Sequence, residues 1–143
     1  SCAILTLIEH QKLIAEGAGA VSVAAVMFDK IPVKGKNVVC VVSGGNIDVT
    51  ILNRVIRRGL VKSGRASLLT IELVDKPGQL TGVSGIIAEL GGNVTAVHHE
   101  RADANDNING CFLRIQLETR NFEHLTQIRS ALTEAGYKIV DNA

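Results

Sequence analysis

The sequence is poor in aromatic residues and carries almost no net charge. It contains no tryptophan, one tyrosine and three phenylalanines, and its formal net charge at pH 7 is +1. A nucleic-acid-binding protein needs a basic surface and usually aromatic side chains on which bases stack. The composition therefore argues against a nucleic-acid partner, and it does not indicate a specifically acidic partner either.

Cysteine and long apolar runs are also scarce. The three cysteines, Cys2, Cys40 and Cys111, are an odd number at wide spacings, which is typical of small reduced side chains rather than disulfide pairs. No apolar run has the length of a membrane span, and residues 1–17 lack the basic start and cleavage site of a signal peptide. These features predict a cytoplasmic chain without a membrane partner.

Two polar stretches suggest metal ligands, but neither satisfies the pattern that a metal site requires. His98 and His99 are adjacent on a predicted strand, so their side chains point to opposite faces. Residues 103–107 resemble the start of a calcium-binding loop, yet Ile108 replaces the required glycine and Arg114 the closing glutamate. We therefore expect no metal site in the chain.

The most informative stretch is VVCVVSGGNID, which runs from Val38 to Asp48. Its β-branched start predicts a buried strand, which Ser43 and the two following glycines break into a tight turn. Apolar residues at helical spacing follow from Val49 to Arg58, so the turn leads into a helix N-terminus. Such a unit can hold a ligand, although glycine turns without ligands are common in α/β domains.

The residues before this stretch predict two helices. The second, Ala20 to Phe28, is apolar on nearly all sides and is therefore expected to be buried. The glycines that precede it do not form a dinucleotide fingerprint, because Ser22 stands where the third glycine belongs. One strand and these helices cannot close a layered domain, so residues 1–61 are expected to belong to a larger α/β domain.

Residues 59–65, GLVKSGR, predict a linker, with Gly59 ending the preceding helix. From Ser67 the pattern predicts strands at 67–74, 93–101, 111–117 and 137–140, with helices after the turn Asp75–Gly78 and after the capping residue Asn121. The order βαββαβ is the α+β ferredoxin-like arrangement. Its predicted core positions are Leu69, Ile71, Leu73, Leu80, Val83, Ile87, Leu90, Cys111, Leu113, Ile115, Leu117, Phe122, Leu125, Ile128, Leu132 and Ala135.

The sheet of this second unit is expected to have one face uncovered by helices. That face carries Leu68, Thr70, Val74 and Phe112, which we interpret as too apolar for contact with water. A second copy of the chain can cover it, by pairing sheets either edge to edge or face to face. We therefore expect a homodimer.

The SGGN motif, together with AEGAGAVSVAAVMF before it and RVIRRGLVKSGR after it, resembles the pyridoxal-phosphate-dependent threonine ammonia-lyases of fold type II. The resemblance implies that Ser43 hydrogen-bonds the pyridine nitrogen of the cofactor, and that Gly44, Gly45, Asn46 and Glu16 belong to the cofactor region. A neutral hydroxyl there favours β-elimination, which converts threonine to 2-oxobutanoate and ammonia. For Glu16 a simple helix-boundary role remains the alternative.

The resemblance also implies that parts of the catalytic machinery lie upstream of such a segment. These parts are the Schiff-base lysine, the substrate-carboxylate loop and the phosphate loop, and no lysine of this chain stands in the family's serine-x-lysine context. Without that lysine no covalent link to the cofactor forms. We therefore expect pyridoxal 5'-phosphate in the complete parent enzyme, and neither bound cofactor nor activity in this chain alone.

The sequence LVDKPGQL, followed by Asn93, resembles the ACT family of regulatory amino-acid-binding domains attached to threonine ammonia-lyases. The resemblance implies an effector (isoleucine, valine, threonine or serine) bound by the backbone of Gly78, Gln79 and Leu80 and by the side chains of Asp75 and Asn93. It implies a homodimer through the ACT sheet and a homotetrameric parent. Two alternatives remain: a turn that only starts a helix, and a structural dimerisation module without an effector.

Taken together, these patterns divide the chain into three parts. Residues 1–61 are predicted to be the C-terminal part of a catalytic domain, residues 62–66 a linker and residues 67–143 an ACT regulatory domain.

Overall fold

The computed structural model describes residues 1–101 and 110–140. The predicted hairpin loop and most of the calcium-like stretch lie outside these ranges. The chain divides into two compact units, Ser1–Lys62 and Ser63–Ala143. Their assignment to a catalytic and a regulatory domain stays a prediction. Within the described ranges, none of the helices has both the length and the apolarity that crossing a membrane requires.

The first unit is helical. Helix α1 spans Cys2–Thr6 and continues into a π-helical turn, Leu7–Gln11, while helix α2 spans Val21–Met27 and helix α3 spans Val49–Lys62. A small apolar cluster joins them, because side chains recurring at three- and four-residue spacing on α1 face the other helices. Its buried members are Ala3, Ile4, Leu7, Ala15 and Ala20, with Ile8, Val23, Ala24, Val42, Leu52 and Val55 packed against them.

Two predictions for residues 20–42 are wrong. The segment Val38 to Val42 is not a strand, and the side chains of Val39 and Val41 are 89% and 74% exposed. A lone strand has no neighbour for its N–H and C=O groups, so nothing holds it in a sheet. Helix α2 forms as predicted but contains no buried residue, because this small unit provides no second layer to cover its outer side.

Helix α3 begins as predicted but ends later. The carboxylate of Asp48 accepts hydrogen bonds from the backbone N–H of Thr50 (2.7 Å) and Ile51 (3.3 Å), which is N-terminal capping. Gly59 does not end the helix; it is buried within α3, and a Cβ there would lie 2.9 Å from a methyl carbon of Leu5. The absence of a side chain at Gly59 thus lets α1 and α3 approach closely. The sequence pattern alone does not distinguish such a packing glycine from one that ends a helix.

The second unit has the predicted order of elements. Strand β1 (Ala66–Val74) is followed by helix α4 (Gln79–Glu89), strands β2 (Asn93–Arg101) and β3 (Gly110–Glu118), helix α5 (Phe122–Glu134) and strand β4 (Lys138–Val140). The strands form one antiparallel sheet in the order β2-β3-β1-β4. The ferredoxin-like α+β fold is therefore confirmed.

The core lies between the sheet and the two helices. Alternate residues of β1 and β3 face it, as strand geometry requires. The buried core residues are Leu69, Ile71, Leu73, Val83, Ile87, Cys111, Leu113, Ile115, Leu117, Ile128 and Leu132. Three predicted core positions are exposed instead: Leu80 and Phe122 lie at the first turns of their helices, beyond the sheet, and Ala135 follows the last turn of α5.

The sheet face opposite the helices is more polar than predicted. Leu68 and Val74 are exposed as expected, but Thr70 is only 5% exposed. Ion pairs cross this face: Lys138 Nζ lies 2.6 Å from a carboxylate oxygen of Glu72, and Arg114 lies 3.2 Å from Glu100. Because opposite charges alternate between neighbouring strands, the face tolerates water better than its apolar residues alone indicate.

Candidate functional site

The strand register brings four polar side chains to one end of the sheet. Leu73 lies opposite Cys111, Cys111 opposite Arg101, and Leu113 opposite His99, so Cys111, Arg101 and His99 share the helix-covered face. Asp75 follows β1 at the same end. The sequence pattern did not reveal this group, because its members are far apart in the sequence. A long connection between β2 and β3 also leaves undetermined which of their residues pair.

These side chains line a cleft of about 490 Å³ at the start of α4. The turn that was predicted as an effector site forms one wall, and the ends of β2 and β3 form the other. The residues lining the cleft are Leu73, Val74, Asp75, Lys76, Pro77, Gly78, Gln79, Leu80, His99, Arg101 and Cys111. Four of the five predicted effector residues therefore lie together.

Asp75 is bound by Arg101 and lies near His99. The Arg101 Nε donates to Asp75 Oδ2 at 2.9 Å, and His99 Nε2 lies 3.8 Å from Asp75 Oδ1. The Asp75 side chain is 32% exposed and that of Arg101 82% exposed, so water screens this ion pair and its stabilising effect is small. The pair orients the carboxylate toward the cleft more than it stabilises the fold.

Cys111 is the buried member of the group, at 2% exposure. Burial raises the pKa of its thiol, the negative charge of Asp75 raises it further, and the positive charge of Arg101 opposes both. The neutral thiol is therefore favoured, and the side chain packs as an apolar residue at the base of the cleft.

The N-terminus of α4 opens on the cleft. Gly78 has φ +89°, a left-handed conformation that glycine adopts at low cost, and in the described residues no side chain caps this helix. The first N–H groups of a helix have no partner within the helix and carry partial positive charge. The Gln79 N–H makes only a long hydrogen bond, 3.5 Å, to the Lys76 carbonyl, so this turn with Gln79 and Leu80 provides N–H donors for an anionic group.

Asn93 lies at the other end of the sheet. It is the first residue of β2 and pairs with Glu118, whose carboxylate oxygen accepts from Asn93 Nδ2 at 2.9 Å. Asn93 and Arg101 are eight residue steps apart along an extended strand, which is about 26 Å. Within one chain the structure therefore does not bring Asn93 to the cleft.

The predicted cofactor residues of the first unit converge on one turn. The Glu16 N–H donates to the Gly44 carbonyl at 3.0 Å, and Gly19 packs against the Ser43 carbonyl so closely that a Cβ would overlap it. Gly44 has φ +74°, and a Cβ there would lie 2.7 Å from the Glu16 carboxylate. Ser43 and Asn46 are exposed on this turn. Glu16, Ser43 and Gly44 thus form one cluster with room only for glycine at Gly19 and Gly44.

Comparison with known proteins gives relatives for nearly the whole chain. The chain is 47% identical over 137 residues to an L-threonine ammonia-lyase of Thermotoga maritima and 42% identical over 137 residues to one of Geobacter sulfurreducens. It is 42% identical over 85 residues, 59% of the chain, to a biosynthetic L-threonine dehydratase of Lactococcus lactis. No family model matches the chain.

The alignments cover nearly all of this chain but only part of each relative. The match to the Thermotoga and Geobacter proteins includes 96% of this chain but 34% of each relative, and for the Lactococcus protein the share is 20%. The chain thus spans about a third of the length of the first two relatives, at their C-terminal part. The chain belongs to the threonine ammonia-lyase family and corresponds to the C-terminal part of its members.

Proposed function

We propose that residues 63–143 are the amino-acid-sensing regulatory domain of a pyridoxal-phosphate-dependent threonine ammonia-lyase. The observation that carries this proposal is the cleft in which an oriented carboxylate, Asp75, faces an uncapped helix N-terminus. A zwitterionic amino acid presents the two opposite charges that this arrangement complements. The predicted turn residues Gly78, Gln79 and Leu80 line the same cleft.

The two charged groups of the ligand have distinct partners in the cleft. The carboxylate of the amino acid accepts hydrogen bonds from the first N–H groups of α4, where the helix dipole favours an anion. The ammonium group binds the carboxylate of Asp75. Because Arg101 also binds Asp75, it orients this carboxylate and can exchange its contact for the ligand's carboxylate.

The apolar side chains at the cleft favour an aliphatic ligand. Leu73 and Leu80 line it on the helix-covered side of the sheet, and Leu80 is 47% exposed. When a branched side chain of the ligand covers them, apolar surface is removed from water. Each Å² of buried apolar surface contributes about 25 cal/mol of favourable free energy. Among isoleucine, valine, threonine and serine, we therefore expect isoleucine and valine to bind more tightly.

Asn93 of a second copy comes near this site when two copies pair along β2, which is an edge strand of the sheet. A two-fold antiparallel pairing centred on Val97 brings the Asn93 end of one β2 alongside the Arg101 end of the other. The β-bulge between Val94 and Ala96 turns the Asn93 side chain to the sheet face opposite that of Arg101. The homodimer that we propose therefore places an asparagine from the second copy at the edge of each cleft, on the open side of the sheet. Of the two sheet pairings left open by the sequence, the polar open face favours this edge-to-edge arrangement.

Residues 1–62 belong, in the same proposal, to the catalytic domain of the parent enzyme. Ser43 lies on a turn that packs closely against Gly19, and the Glu16 N–H donates a hydrogen bond to the Gly44 carbonyl of the same turn. Its exposed hydroxyl has the chemistry to bind a pyridine nitrogen, and pyridoxal phosphate bound there acts as the electron sink for β-elimination. A homotetrameric parent, a cytoplasmic location and the absence of cofactor from this chain remain predictions.

The test is calorimetric titration of the purified chain with isoleucine, valine, threonine and serine. We expect saturable binding of at least one of them, and at least tenfold weaker binding in Asp75→Asn and in Gly78→Val. The first variant removes the charge that binds the ammonium group, and the second forces a Cβ into a left-handed turn. Asp29→Asn, which removes a carboxylate from the first unit, is the matched control and should bind normally.

Absence of any heat of binding and of any thermal stabilisation by all four amino acids would leave only the structural dimerisation module. Binding that survives both cleft variants unchanged would show that the ligand lies elsewhere.

A further inference from the structure

We propose that Asp75, His99 and Cys111 form a binding site for a thiophilic divalent transition metal such as Zn²⁺. One ligand atom from each of these side chains lies within 4.8 Å of the other two. The three residues come from the end of β1, from β2 and from β3, so the site exists only in the folded sheet. It lies at the inner end of the cleft described above.

The separation between the Asp75 and His99 ligand atoms is close to that of a tetrahedral zinc site. With metal bonds of about 2.0 to 2.3 Å, ligand atoms lie roughly 3.3 to 3.8 Å apart. His99 Nε2 is already 3.8 Å from Asp75 Oδ1. The Asp75 and His99 side chains are partly exposed, at 32% and 49%, so neither is fixed by close packing, and the Cys111 sulfur lies within 4.8 Å of both.

The donor set selects the class of metal. One carboxylate oxygen, one imidazole nitrogen and one thiolate sulfur suit Zn²⁺, Co²⁺ and Cd²⁺, whereas Mg²⁺ and Ca²⁺ require oxygen ligands. Binding replaces the S–H bond of Cys111 by a metal–sulfur bond and releases one proton to solvent. The fourth coordination position faces the cleft and takes a water molecule or another small ligand.

Arg101 opposes a cation at this position. Its Nε binds Asp75 Oδ2, the carboxylate oxygen that does not face His99, and its side chain is 82% exposed. The guanidinium group can therefore move into solvent when a metal binds, but its charge lowers the affinity. Removing that charge should strengthen binding, a response that an unspecific surface site would not show.

This site shares Asp75 with the proposed effector site but does not depend on amino-acid binding. Its test contains no amino acid, so each proposal can fail without the other.

The test is titration of the chain with Co²⁺, followed by its d–d absorption and by thiolate-to-metal charge-transfer absorption, with Zn²⁺ competition to obtain the zinc affinity. We expect one equivalent to bind with a charge-transfer band, and Mg²⁺ not to compete. Cys111→Ser should lose that band, and His99→Gln should bind at least tenfold more weakly. Arg101→Gln should bind several-fold more tightly.

Two variants serve as matched controls. His98→Gln removes a neighbouring imidazole that lies on the other sheet face, opposite Arg114, and Cys40→Ser removes a thiol of the first unit. Both should bind as the unchanged chain does. Circular dichroism should show that Cys111→Ser remains folded; if it unfolds, His99→Gln and Arg101→Gln decide the outcome.

The proposal is overturned if no charge-transfer band forms, if His98→Gln weakens binding as much as His99→Gln does, or if Arg101→Gln does not bind more tightly.

Discussion

Single residues determine how the predicted cofactor turn is built. Gly19 and the carbonyl of Ser43 are in such close contact that any side chain at position 19 would overlap backbone, which cannot move away as a flexible side chain can. The sequence pattern indicated only that Gly17 and Gly19 do not belong to a dinucleotide fingerprint. Their different roles appear only when the turn at Ser43 packs against them, because nothing in the local sequence specifies that contact.

Gly19→Ala should therefore separate the two turns and destabilise the first unit by about 1 to 3 kcal/mol, the usual cost of overpacking. Gly17→Ala is the matched control, since a Cβ there meets nothing within 4 Å. Urea denaturation followed by far-ultraviolet circular dichroism measures the difference. Equal stability of the two variants would contradict the packing described here.

His124 is a second residue whose role the sequence did not indicate. It is 2% exposed, its Nδ1 accepts from the Arg120 N–H at 3.1 Å, and its Nε2 donates to the Leu90 carbonyl at 2.9 Å. The side chain therefore ties the start of α5 to the end of α4. The periodicity of α5 predicted which apolar residues face the core. It could not predict that the polar residue His124 is buried, because its burial depends on hydrogen bonds to two distant or non-helical backbone groups.

At the scale of the elements, periodicity predicted most of what forms. Alternation in β1 and β3 placed seven core residues correctly, namely Leu69, Ile71, Leu73, Cys111, Leu113, Ile115 and Leu117. Asn121 was correctly predicted to cap α5, where its side chain accepts from the His124 N–H. The failures occur where tertiary partners decide: Val38 to Val42 has no neighbouring strand, and Gly59 is explained by helix packing rather than by helix ending.

The cap of α3 makes a prediction about pH. Hydrogen bonds from the Thr50 side chain and from the backbone of Thr50 and Ile51 lower the pKa of Asp48. A carboxylate whose pKa is lower in the folded state stabilises that state above its unfolded pKa of about 4, and this contribution is lost as the pH falls through the folded value. The first turn of α3 should therefore fray below about pH 4.

Asp48→Asn tests this prediction, because asparagine caps helices well but does not titrate in this range. Amide hydrogen exchange at Ile51 and Leu52 should increase with acidity in the unchanged chain and much less in the variant, after correction for intrinsic exchange. A similar acid response in both chains would show that another group controls the helix end.

At the scale of the whole molecule, the proposed homodimer makes a geometric prediction. Val97 lies at the centre of β2, so two-fold pairing of these edge strands places two copies of residue 97 opposite each other, with Cα atoms about 4.5 to 5.5 Å apart. Disulfides span this distance. Val97→Cys, in a background with Cys2 and Cys40 changed to serine, should form a cross-linked dimer under mild oxidation.

Leu68→Cys in the same background is the control. Residue 68 is 46% exposed on the open face of β1, so it would cross-link only if the sheets packed face to face. Denaturing electrophoresis without reductant distinguishes the two. Cross-linking of Leu68→Cys but not of Val97→Cys, or a strictly monomeric chain in sedimentation at high concentration, would contradict the edge-to-edge dimer.

The candidate effector site was predictable only in part. The turn from Asp75 to Leu80 carries its own signal, because proline and glycine at fixed positions before a helix mark an exposed N-terminus. His99, Arg101 and Cys111 carry no such signal. Their arrangement depends on the register of a hairpin whose long connecting loop does not fix the pairing.

The most direct measurement of the central claim is the backbone amide spectrum of the isotopically labelled chain with and without saturating isoleucine. Binding in the cleft should shift the amides of Gly78, Gln79 and Leu80 most strongly, with smaller shifts at Arg101 and Asn93. The turn at Ser43 should not respond. Shifts confined to residues 1–62, or no shifts at the start of α4 with isoleucine, valine, threonine or serine, would contradict the assignment of this cleft as an amino-acid sensor.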